Sequence, residues 1–106
     1  MTYFEVEQQD QRTIVTIDSH IDISSVSQLR KELMEFFDTD RTIQQHVIIN
    51  LERLSSLDSS GIALMVALQK MNKDAGRDFY LWNVSDNIMK ILHLSSLVKM
   101  FQIVRS

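Results

Sequence analysis

The stretch from His46 to Leu68 constrains this chain more than any other. His46-Val47-Ile48-Ile49-Asn50-Leu51 is a short run of apolar, largely β-branched residues, the composition of a strand buried on both faces. Glu52 to Leu57 is too long for a tight hairpin, so the chain must leave the sheet through a loop. Asp58-Ser59-Ser60-Gly61 follows, and then Ile62-Ala63-Leu64-Met65-Val66-Ala67-Leu68 opens a helix. Asp58 or Ser59 can cap that helix, because a short side-chain oxygen reaches the N–H two or three residues on. Ser60 then lies in the first turn. A hydroxyl there is at the surface, beside unpaired N–H groups and the positive end of the helix dipole, which favours a phosphate.

The rest of the chain reads as scaffold. Phe4 and Val6 alternate with Glu5 and Glu7, Thr13 to Ile17 is β-branched throughout, and Gln8 to Arg12 is the polar turn of a hairpin. Ser25-Val26-Ser27-Gln28 fits a capping box for a helix to about Phe37, with Val26, Leu29, Leu33, Phe36 and Phe37 at helical spacing. The helix at Ser60 runs to about Asn72 and ends at Asp74-Ala75-Gly76-Arg77. Phe79 to Asn83 is a strand, Ser85 caps a helix carrying Ile88, Ile91 and Leu92, and Met100 to Val104 is the last strand. Alternating strands and helices from His46 onward call for parallel neighbours joined by right-handed crossovers, while the hairpin adds antiparallel pairing. The fold class is therefore α/β, a mixed β-sheet of about four to five strands packed against helices. Three helices in so short a chain are expected on one face, with both faces left open by the pattern alone.

Composition narrows the partners. With 106 residues the chain reads as one domain, 1–106, that buries roughly two thirds of its unfolded surface. The absence of cysteine removes disulfides, thiolate metal sites and cysteine nucleophiles, and makes a reducing cytoplasm the simplest home. Met1-Thr2-Tyr3-Phe4-Glu5 alternates like a strand, so neither a signal peptide nor a membrane span is expected. A net charge of −3 with dispersed Lys and Arg offers no basic patch for nucleic acid. A folded monomer without metal or cofactor, working on protein partners, is the expectation.

Other chemistries fit poorly. A nucleophile elbow needs a glycine two residues before its serine, where Leu57 or Asp58 stands, and its base would have to be His20, His46 or His93. These histidines are scattered and lack a metal-binding helical spacing. Asp18 and Asp22 with Asp58 could form the acidic cluster of a phospho-accepting receiver, but a receiver does not open with a hairpin. Only Gly61 and Gly76 occur, so no glycine-rich nucleotide cradle exists. No catalytic residue is expected. The helix from Ser60 has two readings: Ile62, Leu64, Met65, Val66, Leu68 and Met71 are buried by neighbours on both sides, or its start exposes apolar side chains for docking.

Ile49-Asn50-Leu51 through Leu57-Asp58-Ser59-Ser60-Gly61-Ile62 resembles the signature of the STAS domain, specifically the single-domain bacterial anti-sigma factor antagonists. The signature is a strand, a loop, a Leu-Asp or Met-Asp pair, Ser, then Ser or Thr, then Gly. Ile21-Asp22 is similar to the family's Leu-Asp after its second strand, and Val84-Ser85 through Leu97 to the segment of its third helix. The resemblance covers nearly the whole chain. It implies that Ser60 is phosphorylated by a serine kinase of the histidine-kinase ATPase fold that is also the anti-sigma factor, and dephosphorylated by a PP2C-like phosphatase. Asp58, Ser59 and Gly61 would support that site, and the kinase would dock on Ile21, Asp22 and exposed parts of Ile62 and Met65. Binding would belong to the unphosphorylated form. Ser19-His20 and Ser95-Ser96 depart from the family, standing where a glycine before the Leu-Asp and a Ser-Gly before the last strand are usual. The alternative is a STAS interaction module in a non-sigma pathway of biofilm, secretion or stress signalling that is not phosphorylated.

Overall fold

The computed structural model describes residues 3–18 and 25–104. Along the chain run β1 (Phe4–Gln9), β2 (Arg12–Ile17), α1 (Val26–Thr39), β3 (His46–Asn50), α2 (Ser59–Asp74), β4 (Asp78–Trp82), α3 (Asp86–Leu94), a 3₁₀ turn (Val98–Met100) and β5 (Gln102–Val104). The five strands lie in sequence order. β1 and β2 are antiparallel, with Gln9 opposite Arg12, and every later pair is parallel: Ile14 beside Ile48, Ile48 beside Tyr80, Tyr80 beside Gln102. The mixed sheet is the expected one. β1 is an edge whose residues after Phe4 are exposed, and Glu5 and Glu7 discourage pairing with another chain there.

All three helices cover one face. Side chains alternate along a strand, so Val15, Ile17, Val47, Ile49, Phe79 and Leu81 share that face and are buried. Upon them pack Leu29, Leu33 and Phe37 of α1, Leu64, Met65 and Leu68 of α2, and Ile88 and Leu92 of α3. The alternate residues Ile48, Tyr80 and Trp82 point to the face without helices and are only half-buried. Phe4 meets Phe36 with ring centroids 5.9 Å apart, joining the edge strand to α1. Among the described residues no helix is long and apolar enough to cross a membrane.

Helix ends differ in how they are closed. The expected capping box of α1 is not formed, because Ser25 has ψ −15 and is already turned into the helix, so its side chain makes no cap bond. Ser85 caps α3 as expected, accepting from the Ile88 N–H at 3.2 Å. After α3, Ser96 takes φ 61, and its N–H bonds the His93 carbonyl at 3.1 Å. The position where the resemblance leads one to expect glycine is thus one whose left-handed backbone glycine serves best.

The end of α2 is tied down by Asn72, whose side chain donates to the Leu68 carbonyl at 2.9 Å and accepts from Arg77 Nε at 2.8 Å. Gly76, at φ 78, then turns the chain into β4, and a Cβ there would have nothing within 4 Å. Only backbone conformation opposes a side chain. Gly76→Ala should therefore lower stability by about 1 kcal/mol, and Gly76→Asn by less, since Asn tolerates the left-handed region. Urea unfolding of the two variants checks this; equal stability of Gly76→Ala and the parent would contradict it.

Candidate functional site

The loop after β3 is a spacer anchored by leucines. Leu51, Leu54 and Leu57 are all buried, and the Leu54 N–H closes a turn on the Leu51 carbonyl at 2.9 Å. Asn50, buried at the end of β3, holds the neighbouring strand ends together. Its amide donates to Thr16 Oγ1 at 3.2 Å, and its Oδ1 accepts from the Glu52 N–H at 3.1 Å and from Asn83 Nδ2 at 2.9 Å. Ser85 Oγ donates to the Ser55 carbonyl at 2.9 Å, fastening the start of α3 to the same loop. Arg53 pairs with Glu5 at 3.2 Å.

That anchoring delivers Asp58 in an extended conformation, φ −86 and ψ −176, as the N-cap of α2. Its Oδ1 accepts two bonds, from the Gly61 N–H at 3.0 Å and from the Ser60 hydroxyl at 2.6 Å. Those two donors hold the Asp58 carboxyl below the usual carboxylate range, the Ser60 hydroxyl contributing most and the Gly61 N–H next. Gly61 is set by packing rather than by a special φ. A Cβ on it would lie 2.9 Å from Leu57 Cδ2, so the first turn of α2 sits directly on a buried leucine. Ser59 is exposed and Ser60 half-buried, its hydroxyl turned to the carboxylate at the helix N-terminus.

Asp58, Ser59, Ser60 and Gly61 are therefore contiguous in one turn. Ile21 and Asp22 lie outside the described residues. The expected exposure of Ile62 and Met65 is overturned: they are 6% and 1% exposed. An α-helix advances about 100° per residue, which places Ile62 about 200° and Met65 about 140° round the axis from Ser60. A helix that shows Ser60 to solvent turns both inward. Of the two readings of this helix, burial by neighbours is the one found, and the residue exposed on the Ser60 side is Ala63.

The histidines stand elsewhere. His46 begins β3, about 13 Å of strand away from the end that leads to Ser60, and its Nδ1 lies 3.2 Å from Asp78. His93 is exposed on α3, and His20 lies outside the described residues. Among the described residues, no group of three or more His, Asp or Glu could hold a metal ion. Asn50 is the residue that sequence reasoning missed. A polar residue closing an apolar strand run was its signal.

Comparison with known proteins gives a consistent result. The model of the STAS domain family matches residues 3–106. An anti-sigma-B factor antagonist of Staphylococcus aureus (strain NCTC 8325 / PS 47) is 28% identical over 93 residues, 88% of this chain and 83% of the relative. The anti-sigma factor antagonist SpoIIAA in its unphosphorylated form has the same fold, with a TM-score of 0.75 and 22% identity over 97% of this chain and 89% of that one. The phosphorylated form of the Bacillus cell fate determinant SpoIIAA superposes with a TM-score of 0.70 and 22% identity, covering 97% and 92%.

The depressed Asp58 carboxyl sets a pH dependence. Its folded-state pKa lies below the unfolded value, ordinarily 3.8, so its stabilisation is fully present above that value and lost as pH falls through the folded one. Asn can cap as well but carries no titrating proton. The urea midpoints of the parent and of Asp58→Asn should therefore converge as pH is lowered through the carboxylate range. A gap that stays constant across that range would contradict the two-donor geometry.

Proposed function

Since this chain belongs to the STAS domain family, we propose that it is an anti-sigma factor antagonist-like phospho-switch, a binding protein and not an enzyme, whose switched group is the Ser60 hydroxyl. Unphosphorylated, it binds a partner that is both serine kinase and anti-sigma factor, of the histidine-kinase ATPase fold. Phosphorylation of Ser60 ends that binding, and a PP2C-like phosphatase restores it. A cytoplasmic monomer is the state in which this works. The carrying observation is the 2.6 Å bond from Ser60 to Asp58 in the first turn of α2. The named role of the S. aureus relative and the two solved forms of SpoIIAA support the reading.

Asp58 orients the acceptor. By taking the hydroxyl hydrogen it leaves the Ser60 oxygen lone pairs facing outward, where a bound γ-phosphate can be attacked in line. Ser59 has no such partner among the described residues and is the poorer acceptor. Esterification removes the hydrogen that Asp58 accepts and puts about −1.5 to −2 charges beside its carboxylate. The N–H groups and dipole of α2 accommodate the new charge, so the fold persists. An interface fitted to a neutral hydroxyl does not, and the desolvated dianion costs roughly 3 kcal/mol, about a hundredfold in affinity. The docking surface consistent with the burial is the outer side of α2 around Ser59, Ser60 and Ala63; Ile21 and Asp22, which the family resemblance adds to it, lie outside the described residues.

Incubation with ATP and a serine kinase of this fold from the same organism, followed by phosphopeptide mass spectrometry, tests the switch. Phosphate is expected on Ser60, retained in Ser59→Ala and absent from Ser60→Ala. Ser60→Ala should bind the kinase permanently, Ser60→Asp about a hundredfold more weakly, and Ala63→Glu weakly while remaining folded. Phosphate on Ser59 would overturn the assignment. Tight binding with no phosphate would favour a STAS interaction module in a non-sigma pathway.

A further inference from the structure

The helix-free face of the sheet is more apolar than a solvent-facing one needs to be. β3 carries Val47-Ile48-Ile49 and β4 carries Phe79-Tyr80-Leu81-Trp82, apolar on both faces, the pattern of parallel strands covered from both sides. The helices cover only one. On the other, Ile14, Ile48, Tyr80, Trp82 and Val104 line a cavity of about 450 Å³ that Arg12 borders. That volume is in the range of small-molecule sites, roughly 300–1,000 Å³.

The absence of a carboxylate separates this cavity from the other three described. The cavity beside α3 includes Asp86, the one next to β1 includes Glu5, Glu7 and Glu52 with Arg53, and the one below β4 includes Asp78 with Lys73 and Arg77. The cavity on the open face has Arg12 and no carboxylate in its lining, in a chain whose net charge is −3. Arg12 is exposed, and among the described residues its guanidinium has no ion pair or side-chain hydrogen bond. The neighbouring His46 is already engaged, with Nδ1 3.2 Å from Asp78 and 3.4 Å from the Tyr80 hydroxyl. That contact also holds the Tyr80 ring, tilted, 5.9 Å from the imidazole.

We propose that this face binds a small aromatic carboxylate, its acid group forked by Arg12 and its flat body laid on Ile48, Tyr80 and Trp82. The backbone of the central strands spends its N–H and C=O groups within the ladder, so the face offers side chains only. A peptide strand, which needs free main-chain partners, is poorly served; a ligand with one polar end is well served. Arg12 and Tyr80 are two strands and two residues apart, about 12 Å between Cα positions. A two-ring acid fits that span. The planar guanidinium supplies the bidentate pairing that a carboxylate accepts.

Trp82 is the one tryptophan of the chain, so its indole N–H gives a single signal in a ¹H–¹⁵N spectrum; it borders this cavity and the acidic one next to β1, and the Arg12 variants tell the two apart. The probe is 2-naphthoate, with neutral 2-naphthamide as its control. Naphthoate should shift the indole signal saturably, and both the amide and Arg12→Gln should weaken binding at least tenfold, Arg12→Lys less. Arg12 is exposed, so these variants retain the fold. No saturable shift, equal binding of acid and amide, or unchanged affinity in Arg12→Gln would overturn the proposal. So would a doubling of mass in light scattering accompanying the shift, which would make a second copy of the chain the occupant.

Discussion

Parallel pairing of β3 on both sides is the constraint from which the rest of the structure follows. Parallel neighbours cannot be joined by a hairpin, so the chain must return from the carboxyl end of each strand to the amino end of the next. α1 and α2 make those returns around β3, and their apolar sides lie on the same sheet face. Every loop leaving a parallel strand then emerges at one end of the sheet, where crossover folds of this kind place their sites. Asn50 makes that end a single unit by bonding Thr16 on β2, the start of its own loop, and Asn83 beyond β4. The position of Ser60 is inherited from this arrangement.

Within the turn, one carboxylate does several jobs. Asp58 closes the helix through Gly61, orients the Ser60 hydroxyl and fills the outer edge of the turn with negative charge. The close seat of Gly61 on Leu57 leaves little room for the backbone to answer a change at Ser60 by moving inward. Chemistry at Ser60 is therefore expressed outward, as charge at a surface. The proposed switch, built this way, would need no second conformation of the domain, because a partner would read the charge directly.

Much of this was legible in the residues. Alternation and β-branching gave the hairpin and β3, helical spacing gave the buried faces of α1 and α3, and the Asp-Ser-Ser-Gly turn gave both the cap and the candidate hydroxyl. Four features were not legible, for physical reasons. Ser25 has the right side chain for a cap but a backbone already in the helix, and a motif does not report ψ. Ile62 and Met65 lie close to Ser60 in sequence yet face away from it, because angle round the axis outweighs proximity along it. Asn50 required knowledge of which strand ends meet, which only the assembled sheet supplies. The open face was hidden similarly: Ile48 belongs to a run that reads as buried on both faces, and only the one-sided helix layer shows it uncovered.

The central claim is that phosphate on Ser60 changes a surface charge and leaves the fold in place. Comparison of ¹H–¹⁵N spectra of the unphosphorylated and Ser60-phosphorylated domain tests this most directly. The account predicts large shifts confined to the turn around Asp58, Ser59, Ser60 and Gly61 and the outer side of the first turns of α2, with β2, β3 and α1 signals unmoved. Displacement of signals throughout β3 and α1 would contradict it, because the modification would then act by rearranging the core rather than by charge.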